Sequence, residues 1–206
     1  YLQWNVVKHY KGLCIVKLGF NLRQLDHVSL INGHMEEICA SIIKHFSIFH
    51  NIRHVINSKL ARTIYFACIY PRIKYGIEVY GSANISLLNK LQILQNKLMR
   101  LITNKDRMYS TDLLHRDLNI LKVQHIFETS TLSFVYNCIN EKPIEVFRNY
   151  FTKRTAIHNH NTRNNDDIVL HRINSEIGRN TTHFTGASLW NGLTEDLKKM
   201  TKEEQL

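Results

Sequence analysis

A chain of 206 residues is long enough for one domain, or a domain and a half, around a proper hydrophobic core. With 44% hydrophobic and 21% charged residues it belongs to the globular class, and 27 Lys and Arg against 17 Asp and Glu leave a net charge of +10, which points to a polyanionic partner. Eight Gly and two Pro are too few for the turns of an all-β sandwich or for a Gly-rich phosphate-binding architecture, so a mainly α chain is expected.

Residues 1–33 carry short apolar runs at 13–16 and 28–31, broken by Gly12, Gly19 and Gly33, a pattern that predicts a short β element of hairpin strands. From His34 the period changes. Met35, Ile38, Ile42, Phe46, Phe49, Ile52 and Ile56 recur at the three- and four-residue spacing of one helix face. Ser58 can cap a second helix with Leu60, Ile64, Ala67 and Cys68 on its apolar side, and Pro71 ends or kinks it. A third helix starts near Ser86 with a stripe of Leu87, Leu91, Leu94, Leu98 and Leu101. A short helix follows from Thr111 to about Leu118, and another carries Val123, Ile126, Phe127, Phe134, Val135 and Cys138 to about Asn140. Residues 152–185 lack a clean period and read as an irregular basic segment with a short strand at 168–170; a charged, peripheral helix runs from Glu195 to about Glu204. The expected divisions are therefore a strand-bearing edge at 1–33, a helical bundle at 34–140, and a basic irregular extension at 141–206 that ends in a short helix.

The four cysteines, Cys14, Cys39, Cys68 and Cys138, are far apart and form no CxxC pair, which favours reduced thiols in an intracellular protein over a zinc ribbon or a disulfide scaffold. The apolar runs at 38–43 and 64–70 are too short to span a bilayer. Tyr stands at position 1 and no basic leader follows, so the chain reads as part of a longer polypeptide.

Pro71, Tyr75, Gly76, Tyr80 and Gly81 spell P-x3-YG-x3-YG. Lys90-Leu91-Gln92-Ile93-Leu94-Gln95-Asn96-Lys97 follows and leads into Arg100-Leu101-Ile102-Thr103. Further islands are Tyr10-Lys11-Gly12-Leu13, His34 with Ile38-Cys39 and Lys44, Leu118-Asn119-Ile120-Leu121-Lys122, residues 158–163, and Gly186 with Leu189-Trp190-Asn191. In this order and spacing they resemble the segment downstream of the polymerase core in jockey-like non-LTR (LINE-type) retrotransposon reverse transcriptases. The chain departs from the family pattern at Lys11, Tyr80 and Thr194, where Leu, Trp and Pro are usual.

The resemblance implies that the parent enzyme is an RNA-directed DNA polymerase, nuclear in location, and that this part is its thumb, a helical bundle gripping the template/primer duplex of RNA and DNA behind the catalytic site. It implies partners in the upstream fingers and palm of the same polypeptide. Nucleotide addition needs carboxylates that hold two Mg²⁺ ions, and by the resemblance the family's carboxylate hairpin is expected before Tyr1. No catalytic residue, metal ligand or cofactor is therefore expected within this segment, and it is predicted to be inactive alone. Asp166-Asp167 follows two Asn rather than an aromatic strand and reads as a solvated loop. His158-Asn159-His160 has no cysteine nearby to complete a zinc site and is read as a chance pairing of histidines. No serine elbow of the G-x-S-x-G type is present.

The candidate nucleic-acid-binding residues are Lys90, Lys97, Arg100, Lys105 and Arg107, with Arg154 and Arg163 in the later basic segment. The first five stand against one acid, Asp106; they are either phosphate contacts or an ordinary solvated helix face. Tyr10, Gly12 and Leu13 resemble the palm's closing hairpin, which steadies the primer end. Tyr75, Tyr80 and Trp190 are either base-stacking platforms or core residues. The leading reading is a non-catalytic, duplex-gripping fragment of a reverse transcriptase. Its alternatives are a stand-alone basic helical nucleic-acid-binding module and a helical protein-interaction domain.

Overall fold

A computed structural model describes residues 24–82, 85–140, 145–156 and 166–199. The described chain is mostly helical, as composition and periodicity predict, and it divides into two compact units at Phe127 and Glu128.

The first unit opens with α1, Gln24–Ile52. Its buried residues Ile31, Met35, Ile38, Ile42 and Phe49 continue the stripe expected from His34 by one turn toward the N-terminus. The strand reading of residues 28–31 is thereby corrected. Gly33 suggested a break, yet a glycine inside a helix costs only about 1 kcal/mol, which a continuous buried face outweighs. The rest of the expected β element, residues 1–23, lies outside the described residues.

Asn57, rather than Ser58, caps α2 (Ser58–Cys68): its side chain accepts from the Leu60 N–H at 2.8 Å. The buried face of α2 is Ala61 and Tyr65, whereas Leu60 is exposed, so the helix is turned from the expected aliphatic face toward its aromatic one. Pro71 sits in the first turn of α3 (Tyr70–Lys74), the helical position that best tolerates a missing N–H. The short helix α4 (Ile77–Tyr80) follows Gly76, whose φ of 69° lies in the left-handed region. At Gly81 a Cβ would run into the Phe127 ring and come within 2.6 Å of Ile77 O. The two glycines of YG-x3-YG thus have separate reasons, one a backbone conformation and the other a close approach.

Next come α5 (Ile85–Thr103), α6 (Thr111–Leu118) and α7 (Val123–Asn140). Helix α1 packs on α3 and α5, α2 on α3, α5 and α6, and α5 on α6. One core joins them, with Tyr65, Ile69, Ile73, Ile77, Leu91, Leu98 and Met99 fully buried.

In the second unit, short elements surround a smaller core of Val135, Phe151, Ile168, Ala187 and Trp190. Two 3-10 turns, Glu145–Phe147 and Arg154–Ala156, precede the helices α8 (Glu176–Arg179), α9 (Thr182–Asn191) and α10 (Glu195–Lys199). The irregular segment expected over 152–185 therefore contains α8 and the start of α9. The strand expected at 168–170 is an isolated antiparallel bridge, Lys153 to Ile168. Asn191 completes it: its carboxamide oxygen accepts from Ile168 N–H at 2.8 Å, and its nitrogen donates to Ile168 O at 2.9 Å. The Trp190 indole donates to Asp166 O at 3.0 Å.

Asp167 is not a solvated loop residue. It is 5% exposed, and the buried Lys198 Nζ donates to its Oδ1 at 2.8 Å. Glu195 also receives from Lys198, at 3.1 Å. Burial alone would lower the Lys198 pKa, but these two carboxylates more than offset it and hold the ammonium charged. This pairing also corrects the reading of the last helix as peripheral, since α10 delivers Lys198 into a buried ion pair.

Candidate nucleic-acid interface

The candidate residues begin on α5, a run without Gly or Pro whose two sides differ in burial. Leu88, Leu91, Leu98, Met99 and Ile102 are buried, while Leu87, Leu94 and Leu101 are only half-buried. The expected stripe is thus rotated by about one residue. The cause is Gln95, a polar side chain that is fully buried on the helix's inner side.

Gln95 Nε2 donates to Tyr65 OH at 2.7 Å and to Leu121 O at 2.9 Å. Gln92 Nε2 donates to Gln95 Oε1 and to Asn96 Oδ1, both at 2.8 Å, and Gln92 Oε1 accepts from Val123 N–H at 2.8 Å. Gln92 therefore satisfies one of the orphan N–H groups at the start of α7. His115 Nδ1 donates to Ile120 O at 2.9 Å, while its Nε2 lies 2.9 Å from Asn96 Oδ1 and 3.3 Å from Gln92 Nε2. The LQ-x2-QN spacing is thus a hydrogen-bonded seam that fixes the turn between α6 and α7. Burial pushes the His115 pKa down, opposed by its bond to Ile120. Burial also raises the phenol of Tyr65, against the bond from Gln95.

With that seam holding the inner side, Lys90 and Lys97 are exposed on the outer one, seven residues apart and on either side of the exposed Ile93. Neither belongs to an ion pair among the described residues. Arg100 differs. Its Nη2 donates to Tyr109 O and to Thr111 Oγ1, each at 3.1 Å, so the guanidinium ties the end of α5 to the start of α6. Lys105 lies 4.8 Å from the centroid of the Tyr109 ring, and Tyr109 OH donates to Asp117 at 2.6 Å. Arg107 is exposed in the same turn, where its backbone N–H donates to Asp106.

The remaining candidates separate cleanly. Arg154 is half exposed and lies 3.6 Å from Asp167. Arg163, His158, Tyr10, Gly12 and Leu13 lie outside the described residues. Trp190 and Tyr80 are core residues, each 2% exposed, and Tyr80 OH donates to Ile73 O. Tyr75 is half-buried beside His34, with ring centroids 6.0 Å apart. Among the described residues no group of three or more His, Cys, Asp or Glu could hold a metal ion. Cys39 and Cys68 carry free thiols, and no described helix is long and apolar enough to cross a membrane.

One cationic surface was not singled out from the sequence. Arg62, Phe66, Tyr70 and Lys74 follow one another at four-residue steps along α2 and α3. Their four-residue spacing is the available signal, and the expected apolar face of Leu60, Ile64, Ala67 and Cys68 leaves Phe66 and Tyr70 out of account.

Two known proteins are similar to the chain. Over 74 residues it is 36% identical to the "Probable RNA-directed DNA polymerase from transposon BS" of Drosophila melanogaster, a match covering 36% of this chain and 8% of that protein. Over 121 residues it is 33% identical to the "Probable RNA-directed DNA polymerase from transposon X-element" of the same organism, covering 59% of this chain and 12% of that protein. The chain thus matches about a tenth of the length of these curated relatives. No protein-family model and no solved structure matches it. In sequence, the chain resembles a segment of non-LTR retrotransposon RNA-directed DNA polymerases.

Proposed function

We propose that this chain is a non-catalytic, thumb-like part of an RNA-directed DNA polymerase and that it grips template/primer duplex through sequence-independent phosphate contacts. The observation that carries the reading is the division of α5: its inner side is locked by leucines and the glutamine seam, leaving Lys90 and Lys97 exposed and outside any ion pair among the described residues. A polyanion docking there would not disturb the core. Lys105 and Arg107 extend the surface past the end of α5, whereas Arg100 supports it from within. Arg154 and Arg163 add charge in the downstream segment, and Tyr10, Gly12 and Leu13 take the primer-grip role.

In this reading the metal-binding carboxylates and their Mg²⁺ belong to the upstream palm. That palm and the fingers are its intramolecular partners, and the whole enzyme acts in the nucleus. The test is duplex binding followed by fluorescence anisotropy across a salt series. If the four cations of the α5 surface each neutralise a phosphate, log K falls against log salt with a slope of about −3 to −4 on B-DNA. Binding that is absent at low salt, or indifferent to salt, overturns the proposal. Template-dependent nucleotide incorporation by the purified chain overturns its non-catalytic part.

A further inference from the structure

The four side chains Arg62, Phe66, Tyr70 and Lys74 form a continuous row although the helix is interrupted between α2 and α3. Ile69 keeps a right-handed helical conformation at the junction, with φ −104° and ψ −52°. Its N–H donates to Tyr65 O at 2.9 Å, and its own carbonyl accepts from Arg72 N–H at 3.1 Å and from Ile73 N–H at 3.2 Å. The four-residue register therefore passes through Pro71. Arg62 lies 4.9 Å from the Phe66 ring centroid, the Phe66 and Tyr70 centroids are 5.1 Å apart at 54°, and Lys74 Nζ lies 5.7 Å from the Tyr70 centroid.

Phe66 and Tyr70 are half-buried and packed against the core, and the exposed Arg62 and Lys74 lie over their rings, from which a phosphate would draw them aside. Neither cation belongs to an ion pair among the described residues. The exposed Arg72 lies off this row, held to Cys68 O at 2.9 Å and to the Ser41 hydroxyl, and Lys59 lies one turn before Arg62. The strip is thus cation, ring, ring, cation over roughly 18 Å of helix at 1.5 Å per residue.

We infer that this row along α2 and α3 is a docking strip for single-stranded nucleic acid, in which unpaired bases stack on Phe66 and Tyr70 while Arg62 and Lys74 take the flanking phosphates. Duplex is the poorer occupant, because paired bases keep their faces inside the helix and cannot reach the rings. Stacking of this kind tolerates any base, since every base has a π face. The positive charge at both ends, which forms no ion pair among the described residues, selects a polyanion over an apolar peptide. The strip shares no residue with the α5 surface, so the inference does not rest on the duplex reading.

The test uses the full chain with a fluorescein-labelled oligothymidylate, a duplex of equal length, and polyglutamate as a purely charged competitor. Phe66→Leu with Tyr70→Leu keeps apolar volume but removes the π faces; single-strand affinity should fall about ten- to a hundredfold while duplex affinity is unchanged. Arg62→Gln with Lys74→Gln should reduce the single-strand salt slope by about 1.4. Lys90→Gln with Lys97→Gln should weaken duplex binding and spare the single strand, so the two readings fail separately. Should the leucine pair not fold, crosslinking of a 5-iodouracil oligonucleotide to the parent chain decides: adducts on Phe66 or Tyr70 support the strip. Adducts confined to other peptides, unchanged affinity in folded variants, or polyglutamate competing at equal charge concentration as well as the oligonucleotide would overturn it.

Discussion

The two units reach a fixed structure by different means. In the first, long helices share one apolar core, and the polar groups inside it are hydrogen-bonded side chains such as Gln92, Gln95 and His115. In the second, elements are short and Asn191 supplies bonds that a neighbouring strand would otherwise make, while Asp167 and Lys198 join segments 31 residues apart. Periodicity therefore carries the first unit, and a few polar pairs carry the second. The first should tolerate many conservative changes, whereas the second should fail at single positions.

The largest expected effect follows from that asymmetry. Asp167→Ala leaves the buried Lys198 ammonium without its closest carboxylate, a type of loss that costs about 3 to 5 kcal/mol. Hydrogen exchange should speed up in the α9 peptides and remain slow in those from α5. Equal acceleration in both would break the comparison, because the two regions would then unfold as one. Leu98→Ala is the matching probe of the first unit. Leu98 is fully buried, and a cavity there should cost about 2 to 5 kcal/mol by denaturant midpoint, with Leu94→Ala costing less because Leu94 is half exposed. A larger loss at Leu94 than at Leu98 would show that the buried face of α5 is set wrongly.

These sites also show what could be read in advance. Helices α1, α2, α5, α6 and α7 follow from three- and four-residue spacing, whereas the short α3 and α4 after Pro71 are too brief to show a period. Which face turns inward needs tertiary information, because Tyr65 and Gln95 become core residues only by finding each other. The start of α1 was hidden by Gly33, whose local cost is visible in sequence while the compensating buried face of Ile31 and Met35 is not. In α9 the inward residues are Thr182, Gly186, Ala187 and Trp190, a set too small and mixed to produce a hydrophobic period. The island formed by Gly186 and Leu189-Trp190-Asn191 nevertheless marked the spot. A Cβ at Gly186 would sit 2.9 Å from Val135, and the next residues supply the Trp190 and Asn191 bonds. Asp167 had no local signal at all, since its partner lies on a separate helix.

A smaller effect compares the units through pH. Burial lowers the pKa of His115 in the first unit and of His183 in the second, where His171 adds to the shift. Each folded site binds its proton less readily than the unfolded chain, whose histidines titrate near 6.5. Their contribution is thus fully present above that value and is lost as pH falls below it, until the folded-state pKa is passed. Denaturant midpoints should decline from pH 7.5 to 5.5, and His183→Phe should flatten the decline for the second unit while leaving the His115 part. A midpoint that rises on acidification in the parent chain would reverse the assigned sign.

The smallest change in stability accompanies the sharpest change in binding, and it separates two cations of α5 that composition treats alike. Lys97 is exposed and in no ion pair among the described residues, so Lys90→Gln with Lys97→Gln should leave the first unit within about 0.5 kcal/mol of the parent. If both lysines contact phosphate, the magnitude of the duplex salt slope should drop by about two units. Arg100→Gln should do the opposite. Its guanidinium bonds to Tyr109 and Thr111 are charge-assisted, and losing them should cost about 1.5 to 3 kcal/mol while the slope stays near its parent value. A slope that falls on replacing Arg100, with folding intact, would mean that the guanidinium leaves its internal partners for phosphate. An unchanged slope in the lysine pair would move the duplex-binding surface off α5 altogether, toward the basic residues of the second unit.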